Sequence, residues 1–525
     1  MKYYKYISAA LLSITVLSGF YGCKKSYLDT NPSDAVTDVS LFSTTTACYQ
    51  VLDGIGRLMN TTGASYFQEG STARANDWGE STVRFEEDHM GIDVVIGVNN
   101  YDWFSELYKF NGNRQPTYNL DQFSWRLYYK IINSANLLLD HVDAATGPAA
   151  EVANLKGQAY AYRAYAYYRL SCFYCRTYAI ASRSPNSDSN LLGLPIYLHS
   201  TLASTKGVAR SSVLDVYKVI DKDVDSAKFF LEESPSVSGR PISDISLPTF
   251  YGIAAKIALV KDDWQTASDM ASSAISTFSG RLMDSASYLG GFSTNTNIEW
   301  MWGSTLSASQ TTTLGNLNFF SFVDPSNSTS YANTGLTTSI AKATFDALRS
   351  IPDVRAQTFN QTSRLQTKFH LVDKSAWTYD LLYMRLSEMY LIKAEAQAQL
   401  GQEADAITTL STLVLARNKS YDYNDVLKRY TTANSPSQQP TAYFGRTNLL
   451  KEIYFQRRIE MFLEGTAYSD IQRWQCGLTR PSGTGNFTIS TAGPLKYPAN
   501  SNTFLFKIPQ QELDANPAMA GQQNP

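Results

Sequence analysis

Histidine is scarce in this chain. Its 525 residues hold four, His89, His141, His199 and His370. They lie far apart, and no zinc-ligand spacing or metalloprotease His-Glu pair is present. A nucleophile elbow and a phosphate-binding glycine loop are missing too. Cysteine is nearly as rare, with five residues, which argues against a disulfide scaffold. Cys172 and Cys175 form a CxxC inside AYAYYRLSCFYCRTYA, a Tyr-rich helical pattern. Without a thioredoxin-like context or a second CxxC, they read as core thiols rather than a redox or zinc pair. Charged residues make up only 18%, net charge is −2, and no long basic block occurs. Nucleic acid is therefore not the expected partner. Past residue 23 no apolar run approaches the length of a transmembrane helix.

The first 23 residues, MKYYKYISAALLSITVLSGFYGC, are different. Lys2 and Lys5 form a basic start, an apolar run follows, and small residues lead to Gly22-Cys23. The run is too short to span a bilayer and reads as a secretory signal over 1–22. The junction resembles the lipobox of bacterial lipoproteins, with Phe20 where Leu is usual. That likeness implies acylation of Cys23, with palmitate-type chains holding the exported protein to a membrane. An ordinary cleaved signal with an incidental Cys is the other reading.

Residues 23–40 read as a tether, and 41–525 as a single domain. A first helix is expected over 41–59. Residues 60–120 are rich in Gly, Asn, Asp and aromatics with weak periodicity, as in long loops. Within them, Glu86-Glu87-Asp88 with Asp93 could offer oxygen ligands to calcium, but a solvated loop is the expected state. Apolar residues recur at Leu127, Ile131, Ala135 and Leu138, one helical stripe. A second helix is expected over 155–178, antiparallel to the first across Gly147-Pro148. Val213, Val216, Ile220, Val224 and Ala227 form another stripe. Two more helices follow, with Asp262-Asp263 at the turn.

A weak repeat is visible when AAKIALVKDDWQTASDMASSAI is set against KAEAQAQLGQEADAITTLSTLV. Ala255 then aligns with Ala394, and Ala267 with Ala406. Both read helix, polar turn, helix, like tetratricopeptide units that stack because one pair cannot bury its apolar face alone. Residues 285–380 break the pattern with Ser, Thr, Asn, Gly and aromatics, and helices are expected again from Leu381 and Leu449. The expected fold is mainly α: a tetratricopeptide-like scaffold of helix pairs, with the irregular regions 60–120 and 285–380 packed on one side.

Several segments resemble one family. They are YLDTNPSDAV, LPIYLHSTLASTKGVARSSVLDVYKVIDKDVDSA, RLSEMYLIKAEA, QRRIEMFLEGTAYSDIQRW and the C-terminal KIPQQELDANPAMAGQQNP. Their order is that of the SusD/RagB-like outer-membrane lipoproteins of Bacteroidetes-type bacteria. Two positions depart from that pattern: Gln456 stands where Glu precedes Arg457, and Ala467 where Arg is frequent. Helical spacing puts Arg457, Glu460 and Glu464 on one face, as in a buried ion network.

The resemblance implies a cell-surface protein that binds oligosaccharide or polysaccharide fragments without cleaving them. It would deliver them to a SusC-like TonB-dependent transporter in the outer membrane, facing the cell exterior, with no cofactor and no metal. A peptide-binding relative and an exported glycoside hydrolase are the alternatives. Sugar rings present an apolar C–H face and a polar rim, so a site needs flat aromatics beside amides, acids or guanidinium groups. Trp78, Tyr101, Trp103 and Trp302 are the candidate platforms. Arg74, Asn76 and Asp77 are the candidate hydroxyl contacts. The other reading of these tryptophans is as loop anchors packed on the scaffold. If Cys23 carries the lipid, Cys23→Ala gives a soluble exported protein in cell fractionation; an unchanged membrane pool overturns the anchor.

Overall fold

A computed structural model of the chain describes residues 41–62, 77–100, 103–183, 191–307, 310, 317–374, 377–425, 446–480 and 495–525. Cys23, Arg74, Asn76 and Tyr101 lie outside the described residues.

The first helix, α1, spans Thr45–Leu58 and starts late because the Thr44 hydroxyl accepts from the Ala47 amide. A helix absent from the sequence reading, α2, spans Glu80–His89, and a strand β1 follows at Val94–Asn99. Next come α3 (Asn119–His141) and α4 (Ala149–Tyr174), then α5 (Val213–Glu233), capped by Ser212. The expected apolar stripe Leu127, Ile131, Ala135 and Leu138 of α3 is fully buried. The second helix begins earlier than expected, directly after Pro148, whose missing amide costs nothing at a helix start.

The repeat is real in three dimensions. Helices α6 (Leu247–Val260) and α7 (Trp264–Thr277) are joined by Asp262 at φ 58°, and Asp263 caps α7 through the Thr266 amide. After β2 (Trp300–Thr305), β3 (Leu336–Ile340) and β4 (Asp380–Arg385), helices α8 (Leu386–Gln399) and α9 (Glu403–Arg417) repeat that turn. Gly401 takes φ 77° at the position aligned with Asp262. Glycine reaches this left-handed region freely, and aspartate tolerates it better than most residues. Ala255, Ala267, Ala394 and Ala406 are all fully buried, where small side chains let the helices approach. The chain closes with α10 (Asn448–Glu460), α11 (Ala467–Arg473), the short strands β5 (Leu478–Arg480) and β6 (Leu495–Tyr497), and α12 (Gln510–Ala515).

Successive helices pack side by side. Helix α4 lies against both α3 and α5, α6 against α7, α7 against α8, and α8 against α9 and α10. The fold is thus mainly α and tetratricopeptide-like. Among the described residues no helix is long and apolar enough to cross a membrane. The two irregular regions meet through β1 and β3, which pair antiparallel with Val94 opposite Ile340 and Asn99 opposite Leu336. Residues 380–385, expected to begin a helix, instead form β4 against β2. Two distant family-like segments also join here: the Arg210 guanidinium donates to the Gln522 carbonyl and to Asn524 Oδ1.

The acidic run is no solvated loop. Every residue of α2 is buried. Glu80 accepts from the Tyr128 and Tyr165 hydroxyls, and Glu87 from Arg169 at 2.8 Å. Asp88 accepts the amides of Gly465, Thr466 and Ala467, capping α11 from another element. Arg84 donates to the carbonyls of Glu464, Leu382 and Tyr383.

A larger ion network joins the insertion to the helices. Glu460 accepts from Arg385 at 2.6 Å, Arg417 at 3.0 Å and Arg355 at 3.0 Å. Glu299 bridges Arg385 and Arg417 again, and Glu464 pairs Arg385 with Lys368. All seven side chains are buried. Gln456 serves as a neutral member, accepting from Arg355 and donating to Glu452. Ala467 packs against Gly91, where an added Cβ would lie 2.5 Å from its methyl group.

The three arginines hold the Glu460 carboxyl well below the usual 4.5, against the opposing effect of burial. A depressed carboxyl stabilises the fold above its unfolded pKa and loses that contribution as pH falls below it. Glu460→Ala removes the carboxylate that three buried arginines share and should cost about 3–5 kcal/mol in denaturant unfolding. Acidification below about pH 4.5 should then destabilise wild type more steeply than Glu460→Gln.

Candidate functional site

The β1–β3 register decides what comes together at the surface. Asn99 opposes Leu336, so the chain leaving β1 and the chain entering β3 emerge at the same end of the ribbon. The Asn100 amide donates to the Gly335 carbonyl at 2.8 Å, and its side chain to the Thr334 carbonyl at 3.0 Å. This brings Trp103 to the single helical turn Tyr331–Thr334, which the Ser330 hydroxyl caps. The two rings meet edge to face at 4.6 Å and 89°. Both are half-buried, while Asn100, Asn333 and Thr334 beside them are exposed.

Below this pair the aromatics continue inward. Tyr331 stacks on Phe322 at 5.2 Å, and Phe322 on Trp78 at 5.9 Å with planes 5° apart. Trp103 also sets its edge on Phe322 at 5.5 Å. Phe104, the next residue, is held at φ 63° with its ring buried against Phe85 and Phe322. That conformation is costly for a bulky residue, and packing against Phe85, Phe322 and His89 holds it. The platform is therefore rigid, because each exposed ring rests on a buried one.

The structure corrects two of the expected platforms. Trp302 is 1% exposed and lies among Tyr162, Tyr165 and Tyr383, with its indole N–H donated to the Ser243 carbonyl at 2.9 Å. Trp78 is 2% exposed at the base of the stack. A ring without an open face cannot receive a sugar, so both are anchors. Asp77 is buried as well, near enough to Glu86 to raise its pKa, and presents no carboxylate to solvent. Only Trp103, of the expected residues described, reaches the surface. Tyr331 was missed because the segment YANTGL offers one aromatic among small polar residues, and its meeting with Trp103 is a tertiary fact.

Burial pushes the carboxyls of Glu86 and Asp121 well up, and that of Asp88 to about 7. All three are buried, and Asp88, which borders a small pocket beside Asp93 and Asp470, is held by the amides that begin α11. Burial also raises the Cys172 and Cys175 thiols to about 12, far from nucleophilic range. Among the described residues no group of three His, Cys, Asp or Glu is placed to hold a metal ion.

Comparison with known proteins agrees with the fold. The family described as the SusD family matches residues 352–525, and the one described as "Starch-binding associating with outer membrane" matches residues 71–259. The chain belongs to the SusD/RagB-like family. Solved SusD-like structures resemble it over nearly their whole length. One is a SusD-like carbohydrate binding protein from Bacteroides vulgatus, 25% identical, with a TM-score of 0.71 over 91% of this chain and 98% of that one. A SusD superfamily protein from Bacteroides thetaiotaomicron is 21% identical, with a TM-score of 0.69 over 92% of this chain and 100% of its own. Another from Bacteroides vulgatus is 19% identical, with a TM-score of 0.71 over 92% and 99%. No curated protein matches the chain.

The buried position of Trp302 separates stability from binding. Trp302→Ala should cost about 3–5 kcal/mol in denaturant unfolding, the usual penalty for emptying a core aromatic site. Near-neutral stability of that variant would contradict the anchor assignment.

Proposed function

We propose that this SusD-like protein binds oligosaccharides at the rim formed by Trp103 and Tyr331, without cleaving them. The observation that carries the reading is the half-exposed pair of rings, edge to face at 4.6 Å, with the exposed amides of Asn100 and Asn333 beside it. The rings suit the C–H face of a sugar, and the amides both donate to and accept from hydroxyls. The 25% identical relative described as carbohydrate binding supports the same ligand class. The enclosed position of the perturbed Glu86 and Asp121 carboxyls supports binding rather than hydrolysis, which needs two carboxyls flanking an open scissile bond.

The remaining parts of the proposal follow from family membership and from the first 23 residues. Cys23 carries lipid chains, the protein sits at the outer membrane facing outward, and it passes its ligand to a TonB-dependent transporter. The matched description of association with the outer membrane supports that location. A shallow site of this kind binds with Kd of ~1 μM to ~1 mM, or roughly −8 to −4 kcal/mol. Weak binding suits a protein that must release its cargo to a partner.

Calorimetry of the soluble protein against a panel of polysaccharides, oligosaccharides and peptides tests the reading. A responsive glycan is expected. Trp103→Ala with Tyr331→Ala should weaken its binding at least tenfold while the helical circular dichroism spectrum stays unchanged. Wild-type affinity in that double variant overturns the rim assignment, a response to peptides alone overturns the ligand class, and release of reducing ends overturns the non-catalytic role.

A further inference from the structure

A separate cavity of about 240 Å³ lies between α3, the loop 195–208 and α12. Tyr129, Asn133, Tyr197, Thr205 and Glu512 supply its polar and aromatic lining, and Leu202, 74% exposed, stands in the lining too. None of these residues belongs to the rim carrying Trp103.

The hydrogen-bond inventory of the cavity is uneven. Asn133 Oδ1 accepts from the Thr201 amide at 2.7 Å and the Thr201 hydroxyl at 2.9 Å, but the Asn133 amide nitrogen has no partner among the described residues. The Tyr197 hydroxyl accepts from the Val208 amide at 3.2 Å, and the Thr205 hydroxyl from the Leu202 amide at 2.9 Å. Neither of these hydroxyls has an acceptor for its own proton among the described residues. Glu512 accepts from the Trp125 indole at 3.3 Å and from the Asn516 amide nitrogen at 3.1 Å, and among the described residues no cation pairs with it. Donors thus await acceptors in the same cavity where a carboxylate retains spare acceptor capacity. The Tyr129 and Tyr197 rings stand at 84° with centroids 6.2 Å apart, so the wall has an aromatic component as well.

We infer that this cavity is a second carbohydrate subsite that accepts one pyranose-sized ring. A polyol is the class that satisfies the whole inventory, because each hydroxyl both accepts and donates. An ammonium group would satisfy Glu512 yet leave the three donors unmatched. A metal ion would find a single carboxylate among donors of the wrong kind. The volume falls below the ~300–1,000 Å³ of drug-sized ligand sites, which limits the occupant to one ring rather than a chain. The inference stands apart from the rim and uses none of its residues.

The test uses the full mature protein carrying Trp103→Ala and Tyr331→Ala, so that the rim does not contribute. Saturation-transfer NMR and calorimetry with glucose, galactose, mannose, xylose and N-acetylglucosamine should show at least one sugar binding. Asn133→Asp keeps the acceptor used by Thr201 and removes the free donor. Glu512→Gln removes the charge and keeps the shape. Each should weaken the responsive sugar at least tenfold without changing the melting temperature. If either variant lowers the melting temperature, Tyr197→Phe, which keeps the ring, should still weaken the sugar. Absence of binding by every sugar in the panel overturns the inference. So does wild-type affinity in Asn133→Asp, or binding of putrescine with no sugar response.

Discussion

The structure depends on one buried lattice of charge. Arg385 ends β4, Arg417 ends α9, Glu460 ends α10, and Glu299 immediately precedes β2. Taking any one of these groups out of water costs several kcal/mol, and the cost is met only when every charge is paired and hydrogen-bonded. That condition is geometric. It holds when the insertion strands, the repeat helices and α10 sit in one arrangement, and it fails in any other. The network is therefore best understood as a constraint that selects a single packing between the irregular regions and the scaffold.

Helix α2 extends the same logic. It is polar in sequence and enclosed in fact, so each of its partnered charges must find a remote group. Glu80 and Glu87 find tyrosines and Arg169 of the helical scaffold, Asp88 finds the start of α11, and Arg84 finds backbone carbonyls. The aromatic stack is built beside it, with Phe85 of α2 touching Phe104 and Phe319. A rim resting on such a base loses little freedom when a ligand lands, which favours binding by weak contacts.

Much of the scaffold was legible in the residues themselves. The stripe of α3 and the paired alanines of the repeat report burial on one face, and burial on one face leaves a period. Even the turn chemistry showed, since Asp262-Asp263 and Gly401 occupy equivalent positions. The irregular regions resisted for the opposite reason. A helix buried on all sides, such as α2, has no polar face to set a period. A strand such as β4 looks like the start of the helix that follows it. Tryptophans in loops carry no mark that tells an anchor from a platform.

By itself the sequence determined the helix-pair architecture, the family and the scarcity of histidine and cysteine, because these rest on local pattern and composition. The tertiary structure alone decided that Trp302 and Trp78 face inward, that Trp103 faces Tyr331, and that an acidic run forms a buried helix. Each of those outcomes turns on which distant segment lies opposite, and a strand register or a remote arginine has no signature within the segment it governs.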